Sequence, residues 1–252
     1  MDPNLLTFVA CLVIGFIAQM VDGALGMAYG VTSNAFLLSI GLEPKFASAS
    51  VHAAEVATTA VSGLSHFKIG NVDREVFRRL VLPGVIGGIV GAYILTEIEA
   101  DIIKLVISIY LVIMGAVILL RAFRRARPTD KTPPLVPLGL AGGFLDAIGG
   151  GGWGPVVTTT LVGSGYHPRF AIGSVNTAEF FVTLAESITF ILALGTGMNW
   201  FAILGLLLGG LPAAPLAALV SKRVAPQRLM LLVGGLIIFL SVRNVLLALN
   251  LL

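Results

Sequence analysis

Four carboxylates recur as matched pairs inside otherwise apolar stretches of this 252-residue chain: Asp22, Glu55, Asp146 and Glu179. They form two pairs at one spacing. Asp22 lies in Q-M-V-D-G-A-L-G-M-A-Y-G, from Gln19 to Gly30, and Asp146 in L-D-A-I-G-G-G-G-W-G, from Leu145 to Gly154. Each acid is followed by small residues and then by an aromatic and a glycine, Tyr29-Gly30 or Trp153-Gly154. A helix that restarts after such a break presents free N–H groups and the positive end of its dipole, which is anion-binding chemistry. The candidate anion ligands are therefore Gly26, Met27, Ala28 and Tyr29 in the first break and Gly150, Gly151, Gly152 and Trp153 in the second. Asp22 and Asp146 can equally cap those restarting helices. Gln19, one turn before Asp22, fits the same polar network. Glycine at 151 and 152 would let an anion reach the backbone.

Glu55 and Glu179 each fall roughly eleven residues into a predicted spanning helix, near mid-depth at about 1.5 Å per residue. An ionised carboxylate there costs several kcal/mol. No Lys or Arg lies nearby within the same apolar runs, so proton exchange at these groups is the expected chemistry. A neutral glutamic acid bridging two helices is the structural alternative. His52 and Asn176 lie three residues earlier on the same helical faces, and Ser50 and Ser174 recur at one position; all four are candidate substrate contacts. Glu186 lies two turns beyond Glu179, and its repeat partner is Ser62. It marks either one end of a pathway or a residue reaching the membrane surface.

The elements that must position these residues are hydrophobic spans. The chain is 57% hydrophobic and 12% charged, with mean hydropathy +0.98; soluble domains carry about 25% charged residues. It is expected to be an all-α polytopic membrane protein. The apolar runs are Leu5–Val21, Ala28–Ile40, Pro44–Phe67, Phe77–Thr96 and Ile102–Ala122, then Leu135–Asp146, Trp153–Val162, Pro168–Leu194, Trp200–Val220 and Pro226–Leu249. A basic, Pro-containing stretch separates two groups of five. The domain reading is a first transmembrane repeat (1–123), a cytoplasmic linker (124–134) and a second repeat (135–252). Shifting the chain by 124 lays Asp22–Glu55 on Asp146–Glu179 without a gap, with 12 of 34 positions identical. Duplicated spans with interruptions at matching places mark secondary transporters.

If each break is a hairpin, each repeat crosses an odd number of times and the halves are inverted. Thirteen of the 16 cations then share one side, including Arg74, Arg78, Arg79 and Arg121, and three (Lys45, Lys104, Arg243) lie on the other. The positive-inside rule makes the first side cytoplasmic and both termini external. Gly149-x-Gly151-x-x-Gly154 spells a dinucleotide fingerprint without its βαβ context. Among other glycines, Gly84/Gly88, Gly87/Gly91 and Gly205/Gly209 fit close helix packing. No catalytic spacing or metal-ligand motif is legible, so neither enzyme activity, cofactor, metal nor nucleic-acid partner is expected. Cys11 is the single cysteine, so no internal disulfide is possible.

The chain resembles the TauE/SafE group of sulfite-exporter-like bacterial permeases. The resemblance rests on G-G-G-G-W-G-P-V-V and on G-x-x-P-x-F-A-x-x-S-V-x-x-A-E, present at Gly41–Glu55 and again at Gly165–Glu179. It covers nearly the whole chain. The first break departs from the pattern, with Val31 where the second copy has Pro155. The resemblance implies transport of small sulfur-containing anions, such as sulfite or a sulfonate, across the inner membrane. The expectation is a secondary transporter, proton-coupled through Glu55 and Glu179; a passive anion channel is the rival.

Overall fold

A computed structural model describes residues 3–25, 27–123, 133–220, 226–249 and 251. Gly26 and linker residues 124–132 lie outside the described residues. The elements are α1 (Pro3–Leu25), α2 (Tyr29–Ser39), α3 (Pro44–Lys68), α4 (Arg74–Glu97), α5 (Ala100–Phe123), α6 (Leu135–Gly149), a π-helical turn (Gly154–Thr158) running into α7 (Thr159–Gly163), α8 (Pro168–Leu194), α9 (Trp200–Val220) and α10 (Pro226–Ala248). The protein is an all-α, multi-pass membrane protein. Among the described residues, five helices are long and apolar enough to span: Asn4–Asp22, Arg74–Glu97, Ile102–Phe123, Pro168–Leu194 and Gln227–Ala248.

The helices pair along their lengths as α1 with α9, α4 with α6, α5 with α10 and α3 with α8. Exchanging the two halves turns α1–α9 into α6–α4 and leaves the other two pairs unchanged. Thr59 and Thr183, equivalent under the 124-residue shift, meet with their hydroxyls 3.4 Å apart. The two halves therefore meet along α3 and α8.

Small residues set these approaches. A Cβ on Gly143 of α6 would strike the backbone of Gly84 and Gly88 on α4, and one on Gly209 of α9 would strike Leu12 and Phe16 on α1. Without a hydrophobic drive between helices in lipid, such contact is what holds them together. α3 is long enough to span but is too polar to rank with the five. Ser48, Ser50, His52, Glu55, Thr58 and Thr59 are all buried along it. Polar groups at membrane depth face protein, not lipid.

Both breaks sit slightly later than the sequence reading places them. α1 runs on through Asp22 to Leu25, and α6 through Asp146 to Gly149. Each aspartate therefore belongs to the last turns of the incoming helix. Gly150, at φ 62°, ends α6 in the left-handed conformation that favours glycine. In the first break Ala28, the counterpart of Gly152, takes φ 94°, a conformation costly for a side chain. Asp73 starts α4 by accepting from the N–H groups of Glu75 and Val76 at 2.9 and 3.2 Å.

Gly143→Val should lower stability by about 1–3 kcal/mol through overpacking, whereas Gly163→Ala, with open space at its Cβ, should leave it unchanged. Thermal unfolding of the purified variants in detergent is the check; equal midpoints would refute the α4–α6 account.

Candidate functional site

The two breaks touch. Gly30 of α2 packs directly on Gly151, and a Cβ on either would run into the other's backbone. Asn34 of α2 donates its Nδ2–H to the Gly149 carbonyl at 2.5 Å, and Tyr110 of α5 donates to the Gly151 carbonyl at 3.1 Å. The broken backbone of the second half is thus bonded by the first.

Around this junction closes a small pocket of about 10 Å³, lined by Asp22, Ala28, Tyr29, Gly30, Val31, Glu55, Asp146, Gly151, Gly152, Gly154, Pro155 and Glu179. That is roughly the room one water needs, so a larger ligand requires the lining to part. All four paired acids reach this one place, from α1, α3, α6 and α8. No Lys or Arg lines it among the described residues. A larger groove of about 480 Å³ lies elsewhere, walled by Phe67, Phe77, Phe180 and Phe181 with Arg74 and Arg78.

The aspartates hold the helix starts. Asp146 Oδ1 accepts from the N–H groups of Gly152 and Trp153 at 2.6 and 2.9 Å. Asp22 Oδ1 accepts, more loosely, from Tyr29 N–H at 3.4 Å. These are capping contacts made backwards across the break, and they occupy donors that the sequence reading offered to an anion.

Several expected ligands are engaged elsewhere. Trp153 is fully buried, donates its indole N–H to the Val175 carbonyl at 3.1 Å, and packs toward Gly84, Gly142 and Val182. Tyr29 does line the pocket, with its hydroxyl donating to the Leu206 carbonyl at 3.3 Å. Ser50 donates to the Phe46 carbonyl at 2.7 Å. The Ser174 hydroxyl accepts from Asp73 N–H at 2.8 Å, latching the α3–α4 loop onto α8. Asn176 donates to Ser62 Oγ at 3.0 Å. His52 turns toward Glu186 and Asp146, with its Nε2 at 2.9 and 3.6 Å from their carboxylate oxygens. Gln19 is buried, with its Oε1 unpartnered among the described residues.

Residues the sequence reading missed come from distant segments. Tyr110 and Asn34 brace the second break. Arg121, read as an ordinary cation at a helix end, donates to Thr159 Oγ1 at 3.1 Å and lies 3.4 Å from the Met27 sulfur. Glu186 is fully buried, not at the membrane surface. No local spacing signals these meetings.

The family model described as sulfite exporter TauE/SafE matches residues 11–244. The chain is also similar to the "Probable membrane transporter protein YtnM" of Bacillus subtilis (strain 168), at 45% identity over 240 residues covering 92% of this chain and 80% of that protein. No solved structure matches the chain.

The glycine at 151 has a different duty from the one expected. Its φ of 142° and its contact with Gly30 and Val31 leave no space for a side chain. Gly151→Ala should cost about 1–3 kcal/mol of stability with no ligand present. An unfolding midpoint equal to that of the unaltered protein would show that the breaks do not depend on each other.

Proposed function

Because the chain belongs to the sulfite exporter TauE/SafE family and is a membrane transporter, we propose that it moves a small sulfur-containing anion, sulfite, a sulfonate or a related organosulfur anion, together with protons across the inner membrane. The observation that carries the reading is the pocket between the two breaks, where Glu55 and Glu179 meet two helix starts without any lysine or arginine. Carboxylates gathered at membrane depth need compensating positive charge. An anion entering beside them adds to that need. Protons taken up by Glu55 and Glu179 supply the charge, so anion and proton loading go together.

Donors remain for the anion on α2. Asp22 takes the Tyr29 N–H, while Gly30 and Val31 also lie in the first turn and line the pocket. First-turn N–H groups lack an acceptor within the helix, and the dipole adds positive potential. Arg121, beside Met27, brings a guanidinium toward the same break. The closed pocket fits a transporter that opens to one side at a time better than a continuous pore. In this reading the halves are inverted repeats, as an odd number of passes requires, with the Arg121 end cytoplasmic and both termini external.

Glu55→Gln and Glu179→Gln keep the size and hydrogen bonding of a protonated carboxyl but cannot exchange a proton. Both variants should fold, bind anion, and lose the stimulation of sulfite flux by an imposed pH gradient in proteoliposomes. If both respond to the gradient as the unaltered protein does, the glutamates are helix bridges only. If the unaltered protein conducts anion without regard to the gradient, the passive channel is correct.

A further inference from the structure

Three buried side chains outside the proposed proton pair converge, each with at least one polar atom that no hydrogen bond satisfies. His52 of α3, Asp146 of α6 and Glu186 of α8 each offer one ligand atom, and these atoms all lie within 4.8 Å of one another. All three residues are at most 2% exposed. His52 Nε2, Asp146 Oδ2 and both Glu186 oxygens have no hydrogen-bond partner among the described residues. Nε2 lies 2.9 and 3.6 Å from the carboxylate oxygens of Glu186 and Asp146.

The surroundings fix what these atoms offer. His52 Nδ1 lies 2.7 Å from the Ser48 carbonyl, so Nδ1 carries the proton and donates it. In the neutral ring, Nε2 is then a bare lone pair. Asp146 Oδ1 is committed to Gly152 and Trp153, which turns Oδ2 inward. Glu186 packs against Gly88, where a Cβ would strike its carboxylate. Three electron-pair donors thus face one point. A histidine whose other nitrogen donates to a carbonyl, and a carboxylate already held by hydrogen bonds, have the outer-shell support that metal ligands carry.

The other half of the protein supplies the contrast. Under the 124-residue shift His52 corresponds to Asn176 and Glu186 to Ser62, and those two residues also meet, by a neutral hydrogen bond of 3.0 Å. Bridging α3 to α8 at this position therefore needs no charge. The charged version serves something else.

We propose that His52, Asp146 and Glu186 bind a divalent transition-metal cation. One imidazole and two carboxylates suit zinc or a neighbouring first-row ion. A doubly charged ion with a neutral imidazole and two carboxylates is a neutral assembly, the form that membrane depth favours. Asp146 also lines the pocket between the breaks, so the ion has a route in when the pocket opens. Bound there, it would lock α3, α6 and α8 together and steady the Asp146 cap.

The test uses the full-length protein in detergent, stripped with a chelator and titrated with Zn²⁺ alone and Co²⁺ alone. One ion per chain should bind, with a cobalt absorption spectrum reporting nitrogen and oxygen ligation. Glu186→Gln should weaken binding at least about tenfold. The double variant His52→Asn/Glu186→Ser installs the neutral pair of the other half; it should elute and unfold as an ordered protein yet retain no ion. Absence of stoichiometric binding to the unaltered protein overturns the proposal, as does a folded double variant that binds as tightly. The cobalt spectrum decides the matter even if a variant fails to fold.

Discussion

The contact on which the rest depends is backbone against backbone, Gly30 on Gly151. Unpaired peptide groups cannot face lipid, so each interrupted helix must find its partners in protein. Here the two interruptions serve each other. Asn34 from one half takes up the Gly149 carbonyl of the other, and α5 adds Tyr110 to Gly151. Only residues without a Cβ allow the chains this close, and from that approach follows the gathering of Asp22, Glu55, Asp146 and Glu179 around one small pocket.

The two halves share positions but not chemistry. Asp146 holds two N–H groups tightly where Asp22 holds one loosely. Trp153 turns into the packing against α4 and α8, while Tyr29 stays at the pocket. His52 faces two carboxylates where Asn176 faces a serine hydroxyl. Each packing pair is closed by small residues, Gly143 against Gly84 and Gly88 in one and Gly209 against Leu12 in the other. Side chains inside the pairs are then free to diverge, so that the second break is more tightly capped than the first.

Placement of charge follows from the solvent. Polar side chains on α3 are carried by a helix enclosed by α8, α9 and the breaks, so its low hydropathy is tolerated. Among the described residues, Arg121 at the end of α5 reaches inward, to Thr159 and Met27 at the first break. The four paired acids therefore line the interior pocket, and no lysine or arginine joins them there among the described residues.

Much was legible in the sequence because it is local or periodic. Apolar runs of spanning length gave the helices, and the recurrence of Asp22–Glu55 at Asp146–Glu179 gave the pairing of acids. Glycine pairs such as Gly205/Gly209 gave close packing faces. Where each break falls was legible to within a few residues, since helix ends depend on backbone conformations such as Gly150 at φ 62° and Ala28 at φ 94°. The duty of each break residue was not legible. Whether a glycine frees space for a ligand or for another backbone is decided by what the fold brings opposite it. The same holds for His52, Asp146 and Glu186, which lie on three helices and carry no shared spacing. Sequence fixes the chemical character of each side chain and the face of the helix it occupies, because those follow from the period of the backbone. Tertiary structure decides which faces meet, because in a membrane that choice rests on close contact and satisfied polar groups, not on hydrophobicity that every span possesses alike.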